Sequence, residues 1–165
     1  MTNKAALQKR IHFVLIFFMS ALALSGLTAI PLQWELKLLT PFMEKVSNWK
    51  IIFPARSEWI MRINEGVQNG YGQYPFLAYG TDWLAFGHVA IAIAFVGVLR
   101  DPLRNIWVVN FGMIACLLVI PWTLIFGGIR GIPFFWQLID MSFGVLGIVP
   151  LWLIRHDILR LSGEL

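Results

Sequence analysis

Three polar side chains stand inside long apolar runs of this sequence: Ser25, His88 and Asp140. An ionisable group at the centre of a membrane helix costs on the order of 3 kcal/mol, so such a residue marks a functional site by default. A carboxylate and an imidazole can pass a proton, hold the head of an amphiphile, or clamp two helices together. At a rise of about 1.5 Å per residue, His88 lies about 18 Å from Arg100, Asp140 about 22 Å from Arg155 and Ser25 about 22 Å from Arg10. The three are therefore expected at a similar level, in the outer half of a bilayer, as one polar layer.

In the last apolar run Gln137, Asp140, Gly144 and Gly147 recur at helical spacing. Small residues mark where membrane helices approach closely, so Asp140 is expected on a packing face. His88 shares a face with Ala85 and Ala92, but Gly87, Ala90, Ala94 and Gly97 form a longer small-residue stripe on roughly the opposite side. The sequence leaves open which face of that helix packs. Asp82, about 9 Å further out along the helix, is the nearest other acid. It is expected at an outer rim with Arg130.

The remaining signatures are few. There is no Gly-rich phosphate loop, no His-Glu-x-x-His, no Gly-x-Ser-x-Gly and no paired-cysteine metal spacing. No metal site is expected. His12 and His156, near the same membrane edge on the first and last runs, are a lesser alternative as axial ligands of a haem. No cofactor is otherwise expected. Cys116, the single cysteine, lies in an apolar run and reads as a small buried residue. Asn110 reads as a helix–helix hydrogen bond.

The elements that hold these residues follow from composition. Of 165 residues, 58% are hydrophobic and 13% charged, with a mean hydropathy of +0.72. Soluble domains are roughly half apolar and about a quarter charged. The surplus apolar surface must meet lipid. The net charge of +4 comes from basic residues scattered at the ends of apolar runs, which excludes a nucleic-acid face. A spanning helix needs about 20 apolar residues. Four runs meet or approach this, at about 11–32, 82–100, 105–128 and 133–155, in a single membrane domain. The first resembles a secretory signal, with Lys4, Lys9 and Arg10 ahead of it, but its apolar run is long for one, so an uncleaved helix is expected.

Lys and Arg in short flanks set orientation. They gather at the N-terminus, in "RDPLRN" (Arg100–Asn105) and at the C-terminus, with Arg155 and Arg160. Both termini and that turn are expected to be cytoplasmic, in what reads as a bacterial inner membrane. Pro102 stops the second span, and "GGIRGIP" (Gly127–Pro133) makes the matching outer turn. The fold class is all-α: four transmembrane helices in an up-down bundle.

The loop 33–81 is expected outside as an amphipathic helical cap. Trp34, Leu38, Phe42, Val46 and Trp49 fall on one helical face. Thr40-Pro41 is expected to interrupt it as a cap and first-turn proline. A second helix is expected from Ser57, with Trp59, Ile60, Ile63 and Val67 on one face. Two function classes remain. One is a binding or accessory protein that takes a lipidic or amphiphilic molecule, or a partner membrane subunit, under the cap. The other is a membrane enzyme or proton-coupled transporter centred on Asp140 and His88. The absence of repeats and of several buried charges favours the first.

Overall fold

A computed structural model describes residues 4–45 and 54–163, apart from the side chains of 42–45. Among them there is no strand. The helices are α1 (Lys4–Leu27), α2 (Leu32–Lys45), α3 (Pro54–Gln73), a 3-10 turn (Pro75–Ala78), α4 (Tyr79–Ala94), α5 (Val96–Arg100), α6 (Ile106–Ile129) and α7 (Phe134–Ser162). Four stretches are long and apolar enough to cross a membrane: Lys4–Leu27, Pro75–Arg100, Ile106–Ile129 and Phe134–Ser162. Val46 and Trp49 of the expected stripe lie outside the described residues, as does the side chain of Phe42.

The chain forms two compact units, Met1–Leu22 with Ala90–Leu165, and Ala23–Val89. In the first, α1 presents Leu7, Ile11 and Leu15 at four-residue steps, all buried. Ile11 and Leu15 join Phe95, Val98, Val108, Val109, Leu151, Ile154 and Ile158 in one core. Glycines let α6 and α7 approach each other closely. A Cβ on Gly144 would overlap the Cys116 carbonyl, and one on Gly112 would meet Phe95 and Leu151.

The α6–α7 turn closes on Gly131, at φ +66°. The Ile132 amide donates to the Gly127 carbonyl at 2.9 Å, and the Gly131 amide to the Gly128 carbonyl at 3.2 Å. This is the left-handed glycine cap that ends many helices. The α5–α6 turn is built by side chains instead. Asp101 is extended, as a residue before proline should be. The Asn105 amide donates to the carbonyls of Gly97 (3.0 Å) and Asp101 (2.9 Å).

In the second unit α2 packs on α3, and α3 on the 3-10 turn. The Gln68 amide donates to the Gln33 carbonyl at 2.9 Å, which ties α3 to α2. The buried side of α2 is marked by Leu36, 8% exposed, whereas Trp34 and Leu38 are 62% and 54% exposed. Pro41 does not break this helix. The Thr40 hydroxyl donates back to the Leu36 carbonyl, one turn earlier, instead of capping a new helix. The stretch Trp59, Ile60, Ile63 and Val67 is half-buried along its length, as its spacing implied.

Helix ends differ from the sequence reading in four places; one is the end of α1 at Leu27, where the first span was expected to run to about 32. Helix α1 begins at Lys4 and α7 runs to Ser162, past the charges that had marked the span edges. Charged residues end the apolar run, but they are good helix formers and do not end the helix. Gly163, at φ +86°, ends it. The second stretch begins at Pro75, ahead of its expected start at 82, and Asp82 lies in the first turn of α4.

Candidate functional site

Asp140 lies on α7 one turn from Gln137 and one turn from Gly144, both of which are buried. Its side chain is half-buried on the face that α7 presents to α6. Gln137 anchors this level. Its amide donates to the Ile132 carbonyl at 2.7 Å, and its side chain fills the space a Cβ on Gly127 would need. Gly147, the next small residue, sits against the Cys116 sulfur. Among the described residues the Asp140 carboxylate makes no hydrogen bond or ion pair. An ionised carboxylate accepts several hydrogen bonds, and in a weakly polar setting each unmet one is costly.

His88 and Ser25 belong to the second unit. The open question about the face of His88 has an answer. Ala85 and Ala92, on its face, are 1% and 6% exposed, while Ala90 and Ala94 on the other side are exposed. A Cβ on Gly26 would overlap His88, so α1 and α4 cross closely there. Nothing lies within 4 Å of a Cβ built on Gly87. The His88 Nδ1–H donates to the Leu84 carbonyl at 2.8 Å, which leaves Nε2 as the acceptor of the neutral ring. Ser25 is next to this crossing, on the exposed side of α1, and its carbonyl accepts from the Thr28 hydroxyl at 2.8 Å.

The rim and haem candidates are separate features. Asp82 and Arg130 are exposed, and neither makes an ion pair among the described residues. His12 is exposed and its Nδ1–H donates to the Gln8 carbonyl at 2.8 Å. His156 stacks on Trp152, with ring centroids 5.6 Å apart. No group of three or more metal-binding side chains occurs among the described residues.

The best-developed polar cluster was not picked out in the sequence. Arg10 on α1 holds Asp157 on α7 through two hydrogen bonds, Nε to Oδ2 and Nη2 to Oδ1. Asp157 is 1% exposed; the Arg10 side chain is 53% exposed. His156 Nδ1 lies 3.8 Å from the same carboxylate. Two residues before Asp157, Arg155 Nε donates to Asn110 Oδ1 of α6 at 2.9 Å. Asn110 thus makes the interhelical hydrogen bond expected of it. The signal for Asp157 was available: the core face of α7 repeats through Leu151, Ile154 and Ile158, and Asp157 falls within that stripe. A carboxylate on a core face needs a cation, and Arg10 is next to Ile11 on the core face of α1.

Comparison of the chain with protein-family models, with curated proteins and with solved structures finds no match.

Proposed function

We propose that this chain is a small polytopic membrane protein that binds a lipidic or amphiphilic molecule, as a binding or accessory protein. The carrying observation is Asp140: a carboxylate in an apolar helix, on a packing face, with no protein partner among the described residues. A group so placed favours an occupant that brings hydrogen-bond donors or positive charge, with an apolar tail that suits the surrounding helices. In this reading the four spans run up and down, and both termini and the Arg100–Asn105 turn are cytoplasmic. Helices α2 and α3 lie along the outer membrane surface as a cap. The exposed Trp34 and Leu38 support that placement, because an exposed apolar face on an amphipathic helix seeks the headgroup boundary.

The test uses dodecylamine and its uncharged counterpart, dodecanol, with the purified protein in detergent. Wild type is expected to bind the amine at least about tenfold more tightly than the alcohol, the usual worth of a charge-assisted hydrogen bond. Asp140→Asn should remove that preference while the helical content stays unchanged. Equal affinity for the two probes in the wild type, or an unchanged preference in the variant, refutes the reading.

A further inference from the structure

We propose that the end of the first unit where Arg10 meets Asp157 is a binding surface for anionic phospholipid headgroups, with Arg155 as its phosphate-binding residue. This surface is separate from Asp140 and does not rest on the function proposed above.

The hydrogen bonds define which termini meet there. Arg10–Asp157 joins the start of α1 to the end of α7, and Arg155–Asn110 joins the end of α7 to the start of α6. Helix α5 ends at Arg100, and the turn through Asp101 and Asn105 leads from it directly into α6. Lys4, Lys9, Arg10, Arg100, Arg104, Arg155 and Arg160 therefore gather at one end of the unit. The acids of that end, among the described residues, are Asp101 and Asp157. Asp157 is already neutralised by Arg10, and one Asp101 oxygen accepts the Arg104 backbone amide at 3.0 Å. The side chains of Lys4, Lys9, Arg100, Arg104 and Arg160 are exposed and make no ion pair among the described residues. Juxtamembrane clusters of four to eight such cations attract anionic lipid.

Arg155 turns a diffuse patch into a directed site. It is half-buried, and its Nε is held from within the protein by Asn110. The four N–H donors on its two terminal nitrogens have no acceptor among the described residues. A guanidinium fixed through Nε presents its remaining edge as a planar fork, which matches two oxygens of a phosphate. Half-burial beside Trp152, whose exposed ring suits the membrane interface, places that fork where a phosphodiester sits and not in bulk water.

The experiment reads lipid retention in nanodiscs and by native mass spectrometry. The lipids are phosphatidylcholine with or without phosphatidylglycerol. Wild type is expected to retain phosphatidylglycerol in preference to phosphatidylcholine. Arg155→Gln should weaken that retention about tenfold, as loss of a bidentate charge-assisted pair would. Arg155→Lys, which keeps the charge and loses the fork, should recover only part of it. Lys9→Gln and Arg160→Gln, both on exposed residues, should each weaken it by about two- to fivefold. Thermal unfolding of every variant separates lost binding from lost fold; only variants with wild-type unfolding are scored. Equal retention of the two lipids by wild type overturns the proposal, as does full retention by the scored Arg155→Gln variant or by both the scored Lys9→Gln and Arg160→Gln variants. Inorganic phosphate at tens of millimolar should leave retention unchanged. Full displacement by it would identify a soluble-anion site and overturn the lipid assignment.

Discussion

Replacing Arg10 by alanine isolates what the buried Asp157 carboxylate requires. The carboxylate is 1% exposed and receives two charge-assisted hydrogen bonds from one guanidinium. Stranding a fully buried charge costs about 3–5 kcal/mol. Here the Arg10 side chain is 53% exposed, so water can enter the space it vacates. The lower figure for a charged hydrogen bond, about 2 kcal/mol in total, is the better estimate. Asp157→Leu alone leaves Arg10 free to turn to water and should cost less, about 1 kcal/mol. The Arg10→Met, Asp157→Leu pair removes both charges and keeps volume. It should lie within about 1 kcal/mol of wild type, because apolar replacement of a buried ion pair is often neutral. The assay is reversible SDS-induced loss of helical circular dichroism in mixed micelles. A cost below about 0.5 kcal/mol for Arg10→Ala, or a double variant whose loss equals the sum of the Arg10→Met and Asp157→Leu losses, would refute this account.

The α6–α7 contact predicts that Gly144→Ala destabilises by about 1–3 kcal/mol, because its methyl meets the Cys116 backbone carbonyl, whereas Gly87→Ala, which meets nothing within 4 Å, costs no packing energy. The same SDS titration distinguishes them, and equal behaviour of the two would count against the close approach. In a Cys116→Ala background, a cysteine at exposed Asn69 should react with an impermeant thiol reagent in intact cells, and one at exposed Leu103 should not. The opposite pattern would reverse the proposed orientation. Spin labels at positions 34 and 38 should show high oxygen and low water accessibility in bilayers, with position 37 the reverse. Water access at all three would remove the membrane-surface placement of α2.

The spans were legible because apolar length alone specifies them, and four were expected where four helices of suitable length occur. The packing face of α7 was legible too: Gln137 and Gly144 are buried as their spacing implied. The face of His88 was not, since small residues occupy both sides of α4 and only the Gly26 crossing selects one. Prolines misled. The Thr40-Pro41 pair suggests a helix start, yet Pro41, Pro121 and Pro150 all lie inside helices. Pro121 and Pro150 lie in stretches suited to a membrane, where the backbone has no water to turn to, so keeping the helix around them costs less than opening it. Asp157 was less legible because the apolar run ends at Arg155, whereas the helix and its buried face continue through Ile158 to Ser162.

The Arg10–Asp157 tie also bears on the order of synthesis. Its partners are 147 residues apart, whereas α6 and α7 are joined by a four-residue turn. The hairpin of α6 and α7 closes a short loop and can assemble as soon as both helices emerge. Arg10 leaves the ribosome early and Asp157 late, so for most of translation the cation has no mate. In the orientation proposed above, its charge is then free to hold the N-terminal end of α1 on the cytoplasmic side while the rest of the chain inserts. In that orientation the same guanidinium serves first as a topogenic signal and then, once α7 is complete, as the tie between α1 and α7.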